Sequence, residues 1–529
     1  MLNKSFKTGS TKSSAAKLVG SASVLAGLGA VAVYDLVQKR FGVLRNYPII
    51  GHARYALLKI RPEIQQYFIE RDWDGRPFDY TSRQLIYARA RDEKGEASFG
   101  TLHDVTADGK EWFVHSMKPM DPPETVPKVR VGGDDCSQPY DMSLLNVSAM
   151  SFGSLSANAI QALNAGAAQG GFAHDTGEGG ISPYHLSGGG DLIWELGTAY
   201  FGARTRDGNF DAEEFADKAA SDAVKAVSVK LSQGAKPGIG GVLPQGKISP
   251  EISRIRDVPM DEKCISPPYH REFSTPVELI NFIATLRELS GGKPTGFKLC
   301  VTSRRDVLAI CKAIREVGTA PDFIIVDGSE GGTGAAPVEY EDYVGMPLTQ
   351  GLMTVHNALV GTGLRDKIRV GASGKVAEGS DVVRRLIQGA DYVNSARAMM
   401  MALGCIQSLR CAENTCPVGV ATQNPRLQRG LHVPTKTEHV YNYQRATVEE
   451  ALRVMASMGV SSPSDLQPAM LRRNMSEGHS ASYAELFDWL QPGQLLSQPP
   501  QAWLEDWQQA DPHAFGYGSD AMEHDVSRH

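Results

Sequence analysis

Eight short β-branched runs, each ending in a glycine-rich or polar loop, dominate the middle of the chain. They are 146–150 (NVSAM), 171–175 (GFAHD), 226–232 (AVSVKLS), 263–266 (KCIS), 296–301 (GFKLCV), 323–328 (FIIVDG), 367–374 (KIRVGASG) and 391–396 (DYVNSA). Helical patterns such as 276–289 (PVELINFIATLREL) and 304–317 (RRDVLAICKAIREV) lie between them. Strands alternating with helices make βα units and a parallel sheet, and eight units close a barrel. The expected fold class is α/β, a (β/α)8 TIM barrel at 140–425. It would be flanked by an N-terminal hydrophobic helix within 1–44, a small α+β lead-in region at 45–139 and a helical C-terminal extension at 426–529. A chain of 529 residues has room for such a barrel with its flanks.

Residues 18–34 (LVGSASVLAGLGAVAVY) carry no charge, follow Lys4, Lys7, Lys12 and Lys17, and precede Asp35, Lys39 and Arg40. That length is the short limit for a membrane-spanning helix, so a membrane anchor is one reading. A signal segment cleaved near Ala30, Val31 and Ala32 and a small-residue helix packed on the protein are the others. The balance of 54 basic and 60 acidic residues, with no Lys/Arg block, argues against nucleic acid as a partner. Seven cysteines, three of them crowded into twelve residues, do not form a secreted disulfide framework, and a reducing, cytoplasmic setting for the barrel is expected.

In a barrel of this kind the site lies where the strands end. After the sixth run comes 327–337 (DGSEGGTGAAP), after the seventh 371–375 (GASGK), and after the eighth Asn394, Ser395, Ala396 and Arg397. Glycine lets backbone N–H groups approach phosphate oxygens, so two adjacent loops of this type suggest a phosphate cradle, although either alone could simply be a tight turn. Lys298 alternates with Phe297 and Leu299 and should face the barrel interior, where a lysine needs an anionic or electron-rich ligand or a structural carboxylate. The segment 404–423 (GCIQSLRCAENTCPVGVATQ) spaces Cys405, Cys411 and Cys416 as C-x5-C-x4-C with Pro417 following. Zinc would want a fourth ligand or an open position. An iron–sulfur cluster missing one corner and buried structural cysteines both suit the spacing.

The strings 148–156 (SAMSFGSLS), 176–180 (TGEGG), 233–244 (QGAKPGIGGVLP), 265–270 (ISPPYH), 331–337 (GGTGAAP) and 411–423 (CAENTCPVGVATQ) resemble, in order, the FMN-binding synthase domain of glutamate synthases. The segments 46–68 and 482–496 resemble the stand-alone bacterial subgroup. The resemblance implies a barrel holding FMN, with a [3Fe-4S] cluster on Cys405, Cys411 and Cys416. It implies reductive amination of 2-oxoglutarate by ammonia, through 2-iminoglutarate, to glutamate, with a ferredoxin-like electron donor. By the same resemblance Ser151 and Gln233 would lie against the flavin and Lys298 at its pyrimidine edge. Gly332, Thr333, Gly334, Ser373, Gly374, Ser395, Ala396 and Arg397 would hold the ribityl phosphate. Glu178 matches the active-site carboxylate, a plausible acid/base, with a loop-capping role as the alternative. Lys236 and Arg256 match the cations that bind the substrate carboxylates, Arg256 in a less specific string.

The chain holds no amidotransferase-like region and no GxGxxG fingerprint after a strand, so ammonia and electrons are expected from outside. Where large synthases carry KPGEGG followed by Gln, this sequence has Ile239 in place of Glu and Val242 in place of Gln. In the loop after Glu178, His185 reads as a loop hydrogen-bonder more than a catalytic group, and Trp194 is available to shape the pocket. Two alternatives stay open: a related FMN oxidoreductase acting on another oxo acid or amine, and a membrane-associated flavin electron-transfer protein.

Overall fold

The computed structural model describes residues 11–516 apart from 94, 97 and 477. Two compact units divide the chain, one ending at Tyr80 and one beginning at Thr81.

The first unit is helical. A 27-residue helix, Thr11–Val37, is followed by Gly42–Asn46 and Gly51–Ile64, the last continuing into a π-turn at Gln65–Ile69. The hydrophobic segment is thus a helix, but no helix among the described residues is long and apolar enough to cross a membrane. The expectation of a spanning anchor at 18–34 is not met. Gly20, Ser21, Ser23, Gly27 and Gly29 dilute the apolar surface such a span needs.

The second unit is built on a closed, all-parallel barrel. Its strands are β1 Leu145–Val147, β2 His174–Asp175, β3 Leu192–Leu196, β4 Val224–Lys230, β5 Thr295–Leu299, β6 Phe323–Asp327, β7 Arg369–Ser373 and β8 Tyr392–Ser395, each paired with its neighbour in sequence and β8 with β1. The expected eight-stranded α/β barrel is therefore present, but one strand differs. The run 263–266 is not in the barrel: Cys264–Ile265 forms a two-stranded antiparallel ribbon with Val242–Leu243. Its place is taken by Leu192–Leu196, five residues buried on both faces, whose unbroken burial leaves no period-2 signal.

An antiparallel hairpin, Lys128–Val131 with Tyr140–Ser143, precedes the barrel. Its Val131 and Met142 join Ala173, Ile193, Ala226, Phe323, Ile325 and Tyr392 in one core cluster. Because these barrel residues sit at or before the middle of their strands, the hairpin plugs the N-terminal mouth and leaves the C-terminal mouth for a ligand. Each large apolar side chain so buried stabilises by roughly 1.5–3 kcal/mol.

Helices pack outside: Ala157–Gly170, Pro276–Leu289, Arg304–Val317, Leu348–Gly361 and Gly379–Ile387 follow β1, β4, β5, β6 and β7. Ser156, Thr275 and Ser303 cap three of them by accepting from backbone N–H groups of the first turn, each typically worth ~1 kcal/mol. The C-terminal extension is not purely helical. Beyond the long helix Val433–Ser457, strand Leu471–Ser476 pairs with His479–Ser482 and with Glu111–Phe113 of the lead-in, so both flanks share one small sheet.

Candidate active site at the C-terminal mouth of the barrel

Strand alternation explains which side chains enter the barrel. On β3, Ile193 lies in the core and Glu195, two residues on, faces the interior, whereas Trp194 between them points outward and stacks on Phe215 at 5.0 Å. Trp194 therefore does not shape the pocket. On β5 the same alternation sends Lys298 inward. Its Nζ meets the Glu195 carboxylate, and both side chains are buried. Burial opposes the charge on Lys298, but Glu195, Asp175 and Asp327 outweigh it and hold the ammonium above the ordinary lysine range. Asp175 is pushed upward by burial and by Glu195, against the pull of Lys298.

Above this layer lies a second charged group. Lys230, at the end of β4, places Nζ 3.0 Å from Glu178 Oε1 and donates to Gln233 Oε1 at 2.7 Å. The backbone carbonyl of Lys230 is 2.9 Å from His270 Nε2, and the other ring nitrogen of His270 is 3.1 Å from the Tyr200 hydroxyl. Burial alone would raise the Glu178 carboxyl, but Lys230, Arg256 and Lys236 prevail and hold it below its usual value, so it is ionised at neutral pH. Glu178 rests against the backbone of Gly197 and Gly241: a Cβ on Gly241 would stand 1.9 Å from Oε1, and one on Gly197 2.6 Å from Oε2. Only glycine permits that approach.

Arg256 is buried, donates from Nη2 to Ser151 Oγ (3.1 Å) and the Phe152 carbonyl (2.9 Å), and lies over the Phe201 ring. Its Nε is buried without a partner among the described residues. Lys236 is also buried, its Nζ donating to the Ala335 carbonyl at 2.9 Å. Burial and Lys230 push Lys236 down to about 8, against Glu178 and Glu341. Neither Lys236 nor Arg256 is a surface charge.

Three glycine-rich loops converge beside this group. Gly328 N–H donates to the Ser373 carbonyl (2.9 Å), Ser373 Oγ is 3.2 Å from Ser148 Oγ, and Gly374 adopts φ +139°. Arg397 donates from Nη2 to the Glu330 carbonyl, and a Cβ on Gly332 would stand 2.9 Å from the Arg397 side chain. Gly334 borders open space and Thr333 bonds only locally, to Ala335. The Ser395 hydroxyl is turned away, donating to the Val376 carbonyl at 2.7 Å, and Ala396 flanks the short helix Arg397–Ala402. Closely approached backbone beside a guanidinium suits a phosphate group, so Gly332, Gly334, Ser373, Gly374 and Arg397 fit a phosphate-bearing cofactor such as FMN, whereas the Ser395 and Thr333 hydroxyls are engaged elsewhere.

No three His, Cys, Asp or Glu side chains among the described residues are grouped as ligands of a metal ion. Cys405, Cys411 and Cys416 are free thiols that nonetheless feel one another. Burial pushes Cys405 up to about 12, with Cys411 and Cys416 adding to the rise, and burial and Cys416 raise Cys411 against Lys247. Three residues of this loop other than glycine, Gln407, Leu409 and Asn414, adopt positive φ, a conformation that gathers at functional sites. The loop is tied to the Ser151 loop from two sides. Lys247 Nζ donates to the Ser154 and Cys411 carbonyls, and Gln423 Nε2 to those of Gly153 and Leu155. Two half-buried thiols and a buried one near an ammonium are the donor type of an iron–sulfur cluster, though they are not gathered as ligands among the described residues.

The sequence reasoning missed Lys230, Glu195, Asp175, Asp327 and His270. Asp327 accepts from the Gly234 N–H at 2.8 Å, joining β6 to the Gln233 loop. Lys230 was findable, since Val229 and Leu231 flank it as Phe297 and Leu299 flank Lys298. His185 is a hydrogen-bonder: its Nδ1 accepts from the Ser182 N–H at 3.0 Å within a capping box, and burial beside His174 holds the ring neutral.

Residues 133–461 match the family model described as the conserved region in glutamate synthase. A Bacillus subtilis protein named glutamate synthase large subunit-like protein YerD is 36% identical over 474 residues, covering 82% of this chain and 90% of that one. Archaeal glutamate synthase (NADPH) of Methanocaldococcus jannaschii is 32% identical over 319 residues, covering 60% of this chain and 59% of its own. The large chain of glutamate synthase (NADPH) from Bacillus subtilis is 33% identical over 317 residues, of which 59% of this chain and 20% of that chain are covered. A barrel with this charged mouth, matched over so much of its length, belongs to the glutamate synthase family.

Proposed function

We propose that the chain is an FMN- and iron–sulfur-dependent oxidoreductase that aminates 2-oxoglutarate reductively to glutamate, with ammonia and electrons from outside. The observation that carries this reading is the set of cations around Glu178: Lys230, Lys236 and Arg256, all buried, converge on this one carboxylate and offer cationic groups to an acidic substrate. Lys236 and Arg256 hold the two substrate carboxylates, the guanidinium through Nε, since Nη2 is taken by Ser151 and Phe152, and the ammonium as a point charge. Glu178, kept ionised and oriented by Lys230, accepts a proton as ammonia adds to the keto carbon and returns one to the departing hydroxyl. Gly332, Gly334, Ser373, Gly374 and Arg397 would hold the flavin, which would supply hydride, and Cys405, Cys411 and Cys416 would hold a cluster supplying single electrons. Gly153 to Leu155, bridged by Lys247 and Gln423, join the cysteine loop to the substrate side.

The test is turnover of a panel of oxo acids with ammonium, using reduced ferredoxin and NADPH in parallel as donors. Glutamate from 2-oxoglutarate supports the proposal, and its absence with either donor defeats it. Turnover of another oxo acid alone would favour the second reading, which rests on Ile239 and on Val242, an apolar residue in the ribbon beside Arg256.

Lys236 sets a pH dependence. Its folded value, about 8, lies below the ordinary 10.5, so the ammonium that binds substrate is lost as pH rises through 8. KM for 2-oxoglutarate should climb by up to about tenfold per pH unit above that point, with kcat less affected. The linked stability contribution runs the other way, rising between pH 8 and 10.5, where the unfolded chain holds the extra proton. For the cysteines, Cys411→Ser should lower the iron content of anaerobically purified protein while leaving its flavin content intact. Unchanged iron, or none in the parent, would make these thiols structural.

A further inference from the structure

The first unit carries a surface that the barrel chemistry does not use. Between residues 24 and 69 large apolar side chains stand in solvent, among them Leu25 (70% exposed), Val37 (71%), Ile50 (78%) and Phe68 (83%). Soluble surfaces rarely gather so many, and a concentration of them marks an interaction site. Over the same stretch the charge is one-sided. Residues 36–62 contain Lys39, Arg40, Arg45, Arg54, Lys59 and Arg61, all exposed, and no acidic residue, with Glu63 the one exposed carboxylate that follows them on helix Gly51–Ile64. The carboxylate just before them, Asp35, is buried and spent internally, accepting from the Ile49 N–H at 2.9 Å and facing His52 Nε2 at 2.9 Å. That contact ties helix Thr11–Val37 to the turn entering helix Gly51–Ile64 without cancelling the outward charge.

On Gly51–Ile64 the two properties share one face. Arg54, Leu57, Leu58, Arg61 and Ile64, spaced by three or four residues, line a shallow groove. The helix then runs into the π-turn whose Tyr67, Phe68 and Ile69 are all exposed. Apolar side chains interleaved with arginines whose stems can lie along apolar surface and whose heads stay in water are what a lipid interface selects.

We propose that this face docks on an anionic phospholipid bilayer, with the helices lying at the headgroup level. A second copy of the chain is disfavoured as occupant because Arg54 and Arg61 on each face would repel. Nucleic acid is disfavoured because the apolar side chains would stay wet. A bilayer with acidic headgroups satisfies both halves of the surface.

The test uses the full chain and vesicle sedimentation with two compositions, phosphatidylcholine alone and phosphatidylcholine with phosphatidylglycerol. Binding to the anionic vesicles should be at least about tenfold stronger and should weaken as salt is raised. Arg54→Glu with Arg61→Glu should reduce it about tenfold or more, and so should Leu57→Ser with Leu58→Ser. All four positions are exposed, so circular dichroism and melting temperature should stay at parent values. Equal or no binding to the two compositions would overturn the proposal. So would a dimer seen by light scattering that the same substitutions dissociate.

Discussion

Replacing Lys298 with methionine should destabilise the second unit by about 3–5 kcal/mol at neutral pH, the range for removing one partner of a buried ion pair. The ammonium lies in contact with Glu195 and is surrounded by Asp175 and Asp327, inside a barrel whose other layer is apolar. Without it, Glu195 and Asp175 face each other with no counter-charge between them. Asp175 already sits above its usual carboxyl value because of burial and Glu195, and loss of the cation removes the pull that restrains it. A carboxyl raised in the folded state contributes stability that falls as pH rises toward its folded value. Asp175, at about 8 in the parent, rises further in the variant, so the deficit of Lys298→Met relative to the parent should shrink as pH falls from 9 to 7 and change little below. Urea denaturation of both proteins at the two pH values measures this. A deficit that does not change with pH would mean that the lysine contributes packing alone.

The second large effect is expected at a residue with no chemistry of its own. A methyl group on Gly241 would occupy the position of the Glu178 carboxylate, 1.9 Å from Oε1 and 2.7 Å from Cδ, and must displace it from Lys230. Gly241→Ala should lower kcat by about a hundredfold, as misplacing a catalytic group by about an ångström does. The overpacking itself should cost about 1–3 kcal/mol of stability. A double-substitution cycle separates the causes. If Gly241→Ala acts by moving Glu178, adding it to Glu178→Gln should lower kcat little further. Full additivity would place the damage elsewhere in the loop.

Both residues show what could be read from the sequence. Lys298 was legible because a lysine between two apolar residues in a β-branched run has only the barrel interior to point into. Lys230 obeys the same rule, three residues before the string 233–244, and was passed over. Glu195, its neighbour in the charged mouth, could not be found, because Leu192–Leu196 is buried on both faces and reads as loop after three glycines. The count of eight strands came out right only because Cys264–Ile265, a ribbon beside Arg256, was taken in its place. The contact of Gly241 with Glu178 joins residues 63 positions apart and exists only in three dimensions. The N-terminal segment misled in another way. Its lack of charge suggested a span, whereas glycine and serine dilute it below what a span requires.

A flavin site at the barrel mouth that receives a dicarboxylate is the core of the proposed function. Its most direct test is the visible spectrum of anaerobically purified protein titrated with 2-oxoglutarate. A flavin band in one-to-one ratio with the chain, perturbed saturably by 2-oxoglutarate in the parent and not in Lys236→Met, is the result expected. Protein that carries no flavin and takes up none when FMN is supplied would contradict it.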